Sequence, residues 1–147
     1  MPYRILLIAL AVLFVACAGQ TKETKTYKPQ MVQHIKGSVF KATDRGYYTT
    51  ELVIKPSPPV VGDNKAQLII HDYKATDIPG LDITVVPYLP AKDMESSGKV
   101  KVFDAGRGLY LLDDINFSEP GKWQLKLTIS GPKMTDTVVL DIPEVKG

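Results

Sequence analysis

Hydrophobic and polar residues alternate most strictly over Lys122–Ser130 (KWQLKLTIS), where Trp123, Leu125, Leu127 and Ile129 share one face and Lys122, Gln124, Lys126 and Thr128 the other. A period of two with charge on the outer side predicts a half-buried antiparallel strand, with Trp123 at the centre of a core. Stretches rich in Val, Ile, Thr and aromatics recur at Tyr47–Lys55, Lys65–Asp72, Leu81–Tyr88, Lys99–Phe103, Leu109–Asn116 and Asp136–Ile142. Turn-forming segments separate them. Pro56-Ser57-Pro58-Pro59 cannot donate ladder hydrogen bonds, so it lies outside a central strand. Gly62-Asp63-Asn64 and Asp104-Ala105-Gly106-Arg107-Gly108 read as turns whose glycines supply positive φ. No stretch after Cys17 carries the 3.6-residue period of an amphipathic helix. The expectation is an all-β, immunoglobulin-like antiparallel β-sandwich of about seven strands, occupying residues 38–147. Its core should hold Tyr110 together with Trp123, Leu125, Leu127 and Ile129.

Ahead of the sandwich the pattern disappears. Residues 17–37 are polar and rich in Thr and Lys, which predicts a flexible tether. Before them, Arg4 precedes an unbroken apolar run of twelve residues, Ile5–Ala16. Twelve helical residues span roughly 18 Å, short of the ~30 Å hydrocarbon core, so residues 1–16 read as a cleaved signal peptide. The run ends in Phe14-Val15-Ala16-Cys17, which resembles the lipobox of bacterial lipoproteins. That resemblance implies cleavage before Cys17 and a diacylglyceryl thioether on it, with palmitate-type chains anchoring the chain to a membrane. Cys17 is the only cysteine, and lipidation would leave no free thiol in an oxidising compartment. The implied location is the cell envelope, facing the periplasm or the cell exterior. Ala18 stands where an aspartate would resemble an inner-membrane retention signal, which points to the outer membrane.

Charge and composition then narrow the function classes. Eighteen Lys and Arg against sixteen Asp and Glu give a net charge of +2, which argues against nucleic-acid binding. A single cysteine excludes an internal disulfide framework and a zinc site built on several thiolates. The chain contains no G-x-S-x-G elbow, H-E-x-x-H pair or phosphate loop. The neighbouring acids Asp113-Asp114 and Asp93/Glu95 read as surface carboxylates. No catalytic constellation is expected.

Several local pieces also fall in a familiar order. Gly46-Tyr47 opens a strand that closes on Pro56-Ser57-Pro58-Pro59, and Val61-Gly62-Asp63-Asn64 precedes the next. Pro79-Gly80-Leu81 introduces a third strand, Gly108-Leu109-Tyr110 a later one, and Pro120-Gly121-Lys122-Trp123 the final hairpin. This order resembles the YtkA-like domain, a β-sandwich module of bacterial envelope proteins related in pattern to the periplasmic part of FixH. The resemblance covers roughly Gly46 to Ile142. It brings with it a copper-handling stretch of the form M-P-x-M-x-H after the third strand. Here Leu89-Pro90-Ala91-Lys92-Asp93-Met94-Glu95-Ser96 keeps the proline and places Met94 at the second methionine, while Leu89 and Ser96 replace the first methionine and the histidine.

The two histidines have structural readings of their own. His71 lies in LIIHD on the face opposite Leu68 and Ile70, as a solvated or hydrogen-bonded strand residue, and His34 is a polar residue of the tether. The expected function is a non-enzymatic, lipid-anchored accessory domain. It would present the loops Pro56–Asn64 and Leu89–Gly98 to an envelope protein partner. The alternative is a periplasmic copper or other metal carrier using Met94 with His71 or His34, which requires those residues to meet in space. Carbohydrate binding through Tyr48, Tyr73 and Tyr88 is a third reading, and it requires those rings to be exposed.

Overall fold

The computed structural model describes residues 24–147; residues 1–16, expected as a signal peptide, and Cys17 lie outside the described residues. The alternating segments form β1 (Val39–Ala42), β2 (Tyr48–Lys55), β3 (Gly62–Asp72), β4 (Asp82–Leu89), β5 (Met94–Glu95), β6 (Lys101–Gly106), β7 (Leu109–Phe117), β8 (Gln124–Ser130) and β9 (Thr135–Asp141). They make two antiparallel sheets, one ordered β1-β2-β3-β7-β6 and the other β5-β4-β8-β9. The chain is an antiparallel β-sandwich, as its periodicity predicts. Two strands exceed the expectation. Four residues of β1 and two of β5 are too short to show an alternation, and each is defined by the edge it pairs with. No helix among the described residues is long and apolar enough to cross a membrane.

The period-two faces meet in one core. Trp123, Leu125, Leu127, Ile129 and Tyr110 are each at most 1% exposed. Across the first sheet, Leu52, Leu68 and Tyr110 stand opposite one another in a single row. The two large aromatics place their polar edges on backbone carbonyls: Trp123 Nε1 donates to Glu119 O at 2.9 Å, and Tyr110 Oη to Ile78 O at 2.7 Å. The same Tyr110 oxygen accepts the Leu81 N–H at 3.1 Å, which pins the start of β4.

Turn chemistry explains the joints. Asn64, buried, accepts the Val60 N–H at 3.0 Å and donates to Val60 O and Gly62 O, so its side chain builds the turn between β2 and β3. Gly108 has φ +71°, and a Cβ there would stand 2.6 Å from the Ile70 carbonyl oxygen. At the far end of the sandwich the C-terminal residues stitch two loops together: Val61 N–H donates to Lys146 O at 3.0 Å, and Val145 N–H to Gly121 O at 2.9 Å.

The globular unit begins before Ser38. Residues 24–38 run as an extended strap across the outer face of the five-stranded sheet. Tyr27 N–H donates to Arg45 O at 2.7 Å, and Gln30 N–H to Tyr73 O at 3.0 Å. The free tether expected over residues 17–37 is therefore not what residues 24–37 form; residues 17–23 lie outside the described residues. Polarity alone misjudged this segment, because its hold comes from tyrosine contacts and from one buried acid rather than from aliphatic area.

Candidate functional site

Alternation sends Thr49, Glu51 and Val53 of β2, and Gln67, Ile69 and His71 of β3, to the outer face of the five-stranded sheet. Such positions ordinarily meet water. Here the strap covers one end of the face, and Thr49, Glu51 and His71 are all buried. Glu51 is the fixing point. Its carboxylate accepts the His34 N–H at 2.9 Å, the Ile35 N–H, and the Ser38 hydroxyl at 2.8 Å, and the His34 ring Nδ1 lies 3.1 Å away. Burial alone would raise the Glu51 pKa, but these donors outweigh it and hold the carboxyl below the usual glutamate range.

The histidines meet in this cluster. The His34 ring stacks on that of His71 with centroids 4.9 Å apart and planes inclined by 28°. His71 Nε2 lies 3.0 Å from Asp77 Oδ1, so each imidazole has a carboxylate on one ring nitrogen. Thr49 stands directly opposite His71, and its buried hydroxyl has no hydrogen-bond partner among the described residues. Beside the cluster, Tyr27 packs edge-on against Tyr47 at 4.8 Å and tilted against Tyr73 at 4.9 Å. Gly46 lets the strap approach, since a Cβ there would collide with the Tyr27 carbonyl.

The residues expected to share a metal are separated. Met94 sits opposite Leu89 at the far end of β4 and packs against the core. His71 bridges to Asp77 just before the other end of the same strand. The eight residues of β4 between them span roughly 23 Å. Met94 and His71 are not brought together. His34, placed in a tether by its sequence context, is the residue that reaches His71. Among the described residues no group of three or more His, Cys, Asp or Glu is arranged to hold a metal. The tyrosines considered for carbohydrate are not exposed platforms either. Tyr48 is 2% exposed, Tyr73 belongs to the strap cluster, and Tyr88 lies under Lys126 Nζ at 3.5 Å. Asp113 and Asp114 pair with Lys65 at 3.5 Å and Lys101 at 2.8 Å.

Two of the concave surfaces adjoin these features. At the far end an open cavity of about 510 Å³ is lined by Pro90, Ala91, Lys122, Trp123, Gln124 and Ile142. It adjoins the loops expected to carry contacts. On the outer face of the five-stranded sheet, Val53, Gln67, Leu111 and Phe103 form one transverse row across β2, β3, β7 and β6. They line a groove of about 420 Å³. The signal for this row lay in the sequence, as apolar residues at positions of a strand face that should be polar, but it needed the strand register to be read.

The wider comparisons agree with this architecture. No curated protein matches the chain. The crystal structure of a DUF4426 family protein from Pseudomonas aeruginosa PAO1 is similar over 72% of this chain and 97% of that one, with a TM-score of 0.50. At 9% identity this is a likeness of fold alone. The family described as YtkA-like matches residues 44–128, from the turn before β2 into β8. With more than half of its length inside that match, the chain belongs to the YtkA-like family.

Proposed function

We propose that this chain is a lipid-anchored, non-enzymatic module of the cell envelope that binds a partner protein at the far end of its sandwich. The observation that carries the reading is the cavity over Trp123 and Ile142, with Lys122, Asp141 and Glu144 around it. An apolar floor inside a polar rim is the anatomy of a protein-binding patch. The neighbouring loops are held by the Val61–Lys146 and Gly121–Val145 bonds, so the surface is preorganised and little ordering cost is left for binding. Nearby Val60 and Val61 are exposed. The anchor in this reading is Cys17. A photoreactive residue at Ala91 or Lys122 in intact cells should give one reproducible adduct, whereas one at Thr128, on the outer face of the second sheet, should not. Equal labelling from all three positions, or none from Ala91 and Lys122, would remove the partner site.

A second reading, transition-metal carriage, draws its support from the His34–His71 stack rather than from Met94. A ring nitrogen bound to a carboxylate is the usual second contact of a metal-ligating histidine, and both imidazoles have one. Copper or zinc titration followed by thermal unfolding tests it. A midpoint rise that survives Met94→Ala and disappears in His71→Ala is the expected pattern, and no rise in the parent chain would end this reading.

A further inference from the structure

We propose that the outer face of the five-stranded sheet, together with the strap lying on it, is the surface that rests against the bilayer. Seven large hydrophobic side chains are exposed among the described residues: Met31, Val32, Ile35, Val60, Val61, Phe103 and Leu111. Five of them belong to this face or to the strap. Ile35 and Val53 line one hollow, and Val53, Leu111 and Phe103 line the next, so the apolar strip is continuous from strap to edge strand. The outer face of the second sheet, with Thr84, Lys126, Thr128 and Thr137 on it, carries no exposed large hydrophobic among the described residues.

Lysines border the strip. Lys36 and Lys55 line the first hollow, and Lys55 and Lys65 the second. Lys65 and Lys101 are balanced by Asp113 and Asp114, and Asp63, at the far edge of the face, accepts from the Asn116 amide. Apolar side chains flanked by long cations suit the boundary between headgroups and acyl chains, where a lysine keeps its stem in the apolar layer and its ammonium among the phosphates.

The bilayer is favoured over other occupants because of where the strap begins. This step rests on lipidation at Cys17. From Cys17 to Thr24 there are seven residue steps, a reach of at most ~25 Å. The docked strap thus removes most of the slack that a free tether would give. A lipid surface is then held beside the apolar strip at high effective concentration.

Single-thiol variants of the full-length protein, purified from membranes and placed in phosphatidylethanolamine–phosphatidylglycerol vesicles, test the orientation. A fluorophore on Phe103→Cys should be quenched several-fold more by nitroxide-bearing phospholipid than one on Thr128→Cys. Equal quenching at both sites, or stronger quenching at position 128, overturns the proposal. The mass of the purified chain reads the anchor separately. If it shows no added lipid, the anchoring reading fails, and the same probes in a Cys17→Ala background with added vesicles still read the face. Selective quenching at position 103 then supports the membrane face, and its absence overturns it.

Discussion

Asp136 shows what a single buried carboxylate can organise. It accepts the Thr43 hydroxyl at 2.6 Å, the Arg45 N–H at 3.1 Å, the Tyr47 N–H at 3.3 Å and the Thr137 N–H at 2.9 Å, fixing the loop between β1 and β2. Asp136→Asn would turn an amide donor toward donors and should cost about 1–3 kcal/mol in urea unfolding. Trp123→Ala, which empties the centre of the core, should cost about 3–5 kcal/mol in the same measurement. Tyr48 gives a test at high pH. Burial, then the nearby Tyr47 and Asp136, push its hydroxyl up to about 12. A raised value means the fold favours the neutral phenol. That contribution is whole below the ordinary tyrosine range and is lost as pH rises through about 12. Tyr47, Tyr88 and Tyr110 are raised as well, so ultraviolet titration should show a late-ionising group of tyrosines, and Tyr48→Phe should remove the component near 12. Trp123 and Tyr110 were legible in the sequence because a strand's own period points them inward. Asp136 was not, since its partner Thr43 lies 93 residues away in the chain.

The strap is the element that sequence reading placed least well. Its residues carry no period, and its binding surface belongs to β2 and β3. What could be read was that Glu51 and His71 stand on an outward face; what could not was that something covers them. The depressed Glu51 pKa fixes the direction of the pH response. Docking is fully supported above the ordinary glutamate range and weakens as pH falls through the lower folded value. Protection of the His34 and Ile35 amides, taken relative to their intrinsic exchange rates, should be high at neutral pH and lost in acid. Glu51→Gln should remove it at both, while amides in β8 stay protected. A variant whose strap amides exchange as slowly as those of the parent would show that the tyrosine cluster suffices without the acid. Gly46→Ala tests the strap's other contact and should speed exchange at Tyr27, because the added carbon meets the Tyr27 carbonyl and the backbone there has φ +72°.

At the scale of the whole molecule, strand identity and sheet membership were unequally legible. Period two marks each strand by itself, and the joints at Gly62, Asn64 and Gly121 fall where the turn residues are. That β3 pairs with β7, and β4 with β8, is decided by contacts distant in sequence, so the division into two sheets emerges only in the fold. The site followed the same rule. The far-end loops could be named in advance, whereas the His34–His71 stack and the row from Val53 to Phe103 depend on register. Attachment is tested on the whole chain: the purified parent should carry the added mass of a diacylglyceryl group, Cys17→Ala should lose it, and a parent chain without that mass would contradict an anchor at that residue. One practical outcome concerns recombinant work. A shortened protein started at Ser38 would retain all nine strands yet lose its lid, baring an acid and an imidazole on an already greasy surface. Any stickiness measured on such a fragment would report the missing strap residues 24–37 in addition to the biology.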